Sequence, residues 1–234
     1  MLDQAFEALK TYDWGTDRKL LNPIDDAVVA AHDDAAARKE LETRLAAQLN
    51  TDISRDAKDF VCRKLMFIGT PASVPALAEL LPQEENSHMA RYALERIPAP
   101  KAAAALRDAL PKLNGKLKIG VIGSLGVRKD RASVPALAAL LTDSDQAIVR
   151  AAALALGDIG TKKAAEALAK VKPTALEAKR AAADASLLCA ETLLAKGRKA
   201  IALVVYKQLA RPDQPKHVRL AATRGMLACA GKAQ

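Results

Sequence analysis

Ser73-Val-Pro-Ala-Leu-Ala-Glu-Leu-Leu81 returns almost unchanged as Ser133-Val-Pro-Ala-Leu-Ala-Ala-Leu-Leu141, 60 positions along the chain. A degenerate copy, Ala102-Ala-Ala-Ala-Leu-Arg-Asp-Ala-Leu110, lies between them. Another, Ala164-Ala-Glu-Ala-Leu-Ala-Lys-Val171, follows. Neighbouring copies are thus roughly 29–31 residues apart, a spacing characteristic of helical repeat arrays. Pro75 and Pro135 sit close to a helix start, where a missing N–H costs little. Thr70 and Ser133 are expected as helix caps.

Longer helical patterns alternate with these short ones. The clearest runs from Asp145-Gln-Ala-Ile-Val-Arg through Ala-Leu-Gly157-Asp-Ile-Gly-Thr161. Val149, Leu156 and Ile159 fall on one side of that helix at spacings of seven and three, and so face its paired helix. The alanines between them are expected against neighbouring repeats. Equivalent helices are expected near residues 55–69, 87–97, 115–126, 176–195 and 216–230. Gly69, Gly126 and Gly160 are expected to stop their helices in the left-handed conformation.

Each unit therefore reads as a first helix, a short polar turn and a second helix. Residues 1–34 read as an N-terminal capping pair, marked by Leu2, Phe6 and Leu9 and by Ile24, Val28 and Ala31. About six repeats then form one continuous array over residues 35–234. The last helix runs into Gly231-Lys-Ala-Gln without a polar capping repeat, which predicts that the chain belongs to a longer array.

Composition agrees with helix. Apolar residues make up 50% of the 234, but aromatics only 3%, so alanine and leucine carry the core. No apolar run is long enough to span a bilayer. The opening residues are acidic and lack a basic-then-apolar leader. The expectation is a soluble chain, cytoplasmic, or periplasmic if a leader has been removed. Cys62, Cys189 and Cys229 are far apart in sequence and sit in helical patterns, so they read as structural thiols.

The motif Val149-Arg150-Ala-Ala-Ala-Leu-Ala-Leu-Gly157-Asp-Ile-Gly160 resembles the second helix of short bacterial HEAT repeats, the kind also found in phycobilisome lyases. The segments Asp56-Ala-Lys-Asp-Phe-Val-Cys-Arg63, Ile68-Gly-Thr70 and Met89-Ala-Arg-Tyr-Ala-Leu-Glu-Arg-Ile97 resemble HEAT proteins of planctomycete-like bacteria. The resemblance covers about residues 35–231. It implies a right-handed α-solenoid of antiparallel helix pairs whose second helices line a concave face. It is nearly silent on function, because such arrays serve many partners.

Charge is unevenly distributed. The net charge is +9, yet residues 1–55 carry a net of −4 and residues 172–234 a net of +8. On the geometry the resemblance implies, the partner-facing residues are His88, Arg91, Glu95, Lys116, Lys118 and Arg150, with Lys179 and Arg180 at a similar place further on. Arg128 and Lys129 add charge at the edge. An alternative places Arg150 in an inter-repeat ion pair with Asp143 or Asp145.

No catalytic constellation is apparent. His32, His88 and His217 fall in different repeats without a Cys or carboxylate partner at metal-ligand spacing, so neither a metal nor another cofactor is expected. Gly120-Val-Ile-Gly123-Ser-Leu-Gly126 lacks the strand and the Lys-Ser/Thr of a phosphate loop and reads as a packed helix. Trp14 beside Asp13 is too little for the base-cradling site of a HEAT-like DNA glycosylase. The phenylalanines Phe6, Phe60 and Phe67, with Tyr12 and Tyr206, are expected in the core. The reading is a monomeric, non-catalytic scaffold for a protein partner of acidic character. One alternative is non-specific nucleic-acid binding by the basic C-terminal half. The other is bilin handling of the phycobilin lyase type, for which Tyr92 is the nearest tyrosine on a second helix.

Overall fold

The computed structural model describes residues 1–170 and 176–231, and no strand occurs among them. The last residue of the fourth copy, Val171, and the tail from Lys232 lie outside the described residues. The helices are α1 (Leu2–Lys10), α2 (Asn22–Ala30), α3 (Ala35–Gln48), α4 (Arg55–Ile68), α5 (Val74–Glu79), α6 (Ser87–Arg96) and α7 (Pro100–Ala109). They continue as α8 (Gly115–Val127), α9 (Val134–Ala139), α10 (Gln146–Ile159), α11 (Lys162–Lys170), α12 (Leu176–Ala195), α13 (Lys199–Leu209) and α14 (Lys216–Cys229). Short 3-10 turns join several of them. The chain forms two compact units, Met1–Ser124 and Leu125–Gln234, with the division inside α8.

Within each unit the packing is that of a solenoid built from helix pairs. In the first, α3, α5 and α7 pack in succession, and α4 packs on α6. In the second, α9, α11 and α13 form one such row and α10, α12 and α14 the other. The layer between the rows is aliphatic. Leu45, Leu65, Leu77, Leu94 and Leu106 fill it in the first unit, and Leu137, Val149, Leu156, Ile159 and Leu168 in the second. Each such side chain contributes about 2 kcal/mol on burial.

The two Ser-Val-Pro-Ala-Leu segments adopt the same local structure. Each opens a six-residue helix with proline in its first turn. Ser73 has φ −81° and ψ −12°, and Ser133 has φ −79° and ψ −11°. Neither hydroxyl caps its helix. Ser73 Oγ donates back to the Thr70 carbonyl at 3.1 Å, and Ser133 Oγ to the Asp130 carbonyl at 2.7 Å. The expected cap at Ser133 is therefore a clamp on the preceding turn. Thr70 Oγ1 does accept from the Ala72 N–H, at 3.2 Å.

Of the three expected left-handed glycines only Gly160 is one, with φ 56°. Gly126 lies within α8, where an added Cβ would come within 2.9 Å of Ala155 Cα, so its role is close helix approach. Gly69 is extended rather than left-handed, and a Cβ there would strike the Leu65 carbonyl and the Ile97 side chain. The residue that ends α8 in the left-handed region is Lys129, with φ 52°. Around it, the Asp130 N–H donates to the Leu125 carbonyl at 3.0 Å and the Lys129 N–H to the Gly126 carbonyl at 2.8 Å. This is the helix stop that normally selects glycine.

Candidate functional site

Each second helix has a buried side against its neighbours and one outward stripe. On α4 the stripe includes Arg55, Arg63 and Phe67, spaced by eight and four; on α6 it is His88, Tyr92 and Arg96, spaced by four. Helical periodicity puts each set on one face. Phe67 is 75% exposed, which overturns its expected place in the core, while Phe6, Phe60 and Tyr206 are buried as expected. Phe67 belongs to the outward i, i+4 series of its helix, whereas Phe60 and Leu65 belong to the inward one. Tyr92 is 46% exposed, and its ring lies 4.9 Å from that of His88.

Beneath this surface the structure brings His88, Arg91 and Glu95 together. The Arg91 guanidinium crosses to α8, where Nη1 donates to the Gly120 carbonyl at 3.1 Å and to Ser124 Oγ at 3.4 Å. Its Nη2 lies 3.2 Å from His88 Nδ1. Ser124 Oγ donates to Glu95 Oε1 at 2.6 Å. Burial pulls the Arg91 pKa below its usual value, and Glu95 opposes that shift. An added Cβ at Gly120 would lie 2.6 Å from Arg91 Cζ, so this glycine makes room for the guanidinium. Arg91 is therefore chiefly a strut between two second helices, with His88 and Tyr92 exposed above it. Lys116 is exposed near the start of α8, and Lys118 is half-buried.

Sequence reasoning missed a second strut. Glu42, 1% exposed on α3, accepts from the Thr70 N–H at 2.6 Å, from Thr70 Oγ1 at 2.8 Å and from the Ser73 N–H at 3.2 Å. A buried carboxylate needs such donors. The clue was a carboxylate set 28 residues before the Thr-Pro-Ala-Ser turn, close to one repeat length.

In the second unit the predicted cations are spread along separate helices. Arg150 is exposed on α10, and Lys179 and Arg180 on α12. Among the described residues none of the three makes an ion pair or side-chain hydrogen bond. The alternative pairing of Arg150 is thus not formed. Asp143 instead accepts from the Asp145 N–H, and Asp145 caps α10 at the Ala147 N–H. Lys129 lies near Asp158, whose carboxyl burial pushes up and Lys129 pulls back. Arg128 is half-buried beside it in sequence. Exposed leucines stand among the cations, Leu154 on α10, Leu188 on α12 and Leu220 and Leu227 on α14.

A groove of about 560 Å³ runs between α12 and α14. Glu191 lines one wall; His217, Leu220, Ala221, Arg224, Gly225 and Ala228 line the other, with Tyr206 below. His217 Nε2 lies 3.0 Å from Asp184 Oδ1, a partner 33 residues away that sequence spacing did not reveal. Gly225 is where α14 passes over the Tyr206 ring, and any Cβ there would collide with it. Burial, reinforced by Glu191, pushes the Tyr206 phenol up to about 12, so it remains protonated and able to donate.

The two buried thiols, Cys62 and Cys189, are held in the protonated form. Burial, aided by Asp59, pushes Cys62 up to about 12, and burial pushes Cys189 up to about 11. Among the described residues no three His, Cys, Asp or Glu side chains are grouped to hold a metal ion. Nor is any helix among them long and apolar enough to cross a membrane.

Comparison with curated proteins finds no significant match. A family model described as HEAT repeats matches residues 110–187, from the end of α7 into α12. The match supports a HEAT-repeat protein, and the paired helices stacked within each unit are consistent with an all-α solenoid of that type.

Proposed function

We propose that the protein is a non-catalytic scaffold that receives a protein partner on the outward face of its second helices. HEAT repeats generally act as scaffolds for protein interaction. The observation that carries the reading here is the exposure of Phe67 and Tyr92. The chain has only seven aromatic residues, and two of them stand outward on packed second helices. Exposed aromatic side chains beside arginine are the usual anchors of protein interfaces. His88, Arg63 and Arg96 supply polar contacts around them, and Arg91 and Glu95 hold the platform.

The test is capture of a partner by the wild-type chain and by a Phe67→Ala/Tyr92→Ala double variant. A protein retained by the first and lost by the second, with unchanged helicity, supports the reading. Equal recovery removes this face from it. Charge reversal at Lys118 is the companion probe. Reversal at Arg91 is unsuitable, because it breaks the contact between α6 and α8.

A second reading rests on charge. Residues 125–234 carry 19 basic and 9 acidic side chains, a net of +10. Arg150, Lys179 and Arg180, unpaired among the described residues, would neutralise nucleic-acid phosphates. Such binding would weaken steeply with salt, and a gel shift at low ionic strength that shows no complex ends this reading.

A further inference from the structure

We infer that the groove between α12 and α14 is a receiving site for an acidic side chain of a partner protein, held by Arg224 and flanked by aliphatic contacts. This deepens the scaffold reading and rests on it. Arg224 and Glu191 line the same open groove yet form no ion pair with each other. Arg224 has no hydrogen-bond partner among the described residues. His217 is engaged by Asp184 at one end of the groove. On the same wall as Arg224 lie Leu220, Ala221 and Ala228, and Leu220 is 58% exposed.

The chemistry selects among anions. A guanidinium binds a carboxylate in a planar, two-point fashion. The surrounding unit, at net +10, attracts negative segments over a distance of about a Debye length, ~8 Å at physiological salt. Glu191 works in the other direction. One fixed carboxylate on the facing wall tolerates a single negative charge paired with Arg224 but repels a dense polyanion such as a nucleic-acid backbone. The aliphatic residues beside Arg224 add a contact that phosphates cannot use. An acidic side chain next to a leucine-like one, on a protein segment, pairs with Arg224 and covers the aliphatic residues beside it.

Calorimetric titration of the full chain with three probes tests this. They are a random copolymer of glutamate and leucine, poly-glutamate of matched length and a short DNA duplex. The copolymer is expected to bind several-fold more tightly than poly-glutamate. Arg224→Ala should weaken it roughly tenfold to a hundredfold, the range for losing a charge-assisted contact. Glu191→Gln should tighten all three probes and narrow the gap between copolymer and DNA. Unchanged copolymer affinity in Arg224→Ala overturns the groove assignment. If Lys179→Ala/Arg180→Ala then weakens it instead, the face still binds protein and only the groove is wrong. DNA binding tighter than the copolymer overturns the choice of ligand. Failure of all three probes to bind rejects the groove assignment; the aromatic-face test of the scaffold then stands separately.

Discussion

The two units share one packing scheme and differ in how their charges are held. In the N-terminal unit many charged groups have internal partners. Arg18 and Lys64 both pair with Asp25, Arg44 pairs with Asp3, Arg63 with Asp59, and Lys10 with Glu7. Arg18, Arg44 and Lys64 also lie over the rings of Phe60 and Phe6. Its 17 basic and 18 acidic side chains nearly cancel. In the C-terminal unit Arg150, Lys179, Arg180, Lys216 and Arg224 have no such partner among the described residues. Repeats of one architecture can thus serve opposite electrostatic ends. The first unit uses more of its charge to tie helices together; the second, apart from pairs such as His217 with Asp184, leaves more of it available to an approaching molecule.

The sharpest way to break this contrast is to remove a tie. Glu42→Ala leaves the Thr70 and Ser73 N–H groups without their acceptor, and a loss of about 3 kcal/mol is expected. Urea unfolding followed by circular dichroism reads it. A loss within error of zero would mean that water replaces the carboxylate freely. In the other unit the most sensitive point is steric. Gly225→Ala forces a methyl group into the Tyr206 ring and should cost about 1–3 kcal/mol, despite the better helix propensity of alanine. A neutral or stabilising result would show that the ring can step aside.

The third prediction concerns acid. Burial alone would raise the Asp25 pKa, but Lys64 and Arg18 outweigh it and hold the carboxyl below its ordinary value. A carboxylate depressed in the folded state contributes stability above the unfolded value, near about 4, and loses it as pH falls through the folded value. Urea midpoints of wild type and Asp25→Asn should therefore differ above that range and converge below it. Parallel curves would show that Asp25 is not a tie. The smallest effect should come from Lys129→Gly. It relieves a left-handed lysine by about 1 kcal/mol or less, offset in part by the lost attraction to Asp158. A clear destabilisation would mean that the lysine side chain contributes more than its backbone strain removes.

The paired helices were readable because Ser-Val-Pro-Ala-Leu and its degenerate copies combine a fixed period with proline at the helix start. The burial of Val149, Leu156 and Ile159 followed from helical spacing alone. Contacts between repeats were harder to read. Glu42 with Thr70, Arg91 with Gly120 and His217 with Asp184 join residues 28 to 33 positions apart. No local pattern encodes which of several polar residues on a helix will reach across. Phe67 was misplaced for a related reason. Its hydrophobicity suggested the interior, but its position relative to Arg55 and Arg63 put it outside. Glycine was ambiguous too, since the same residue type serves a left-handed stop at Gly160 and a backbone contact at Gly126.

The matching backbone angles at Ser73 and Ser133 have an evolutionary consequence. Two stretches of gene, 60 codons apart, encode one solved junction, and contacts in such arrays are made with adjacent copies. Duplicating or deleting a whole period joins ends that already fit. Length can then drift by recombination without a new folding solution, while single substitutions on the outward stripes retune what the array holds.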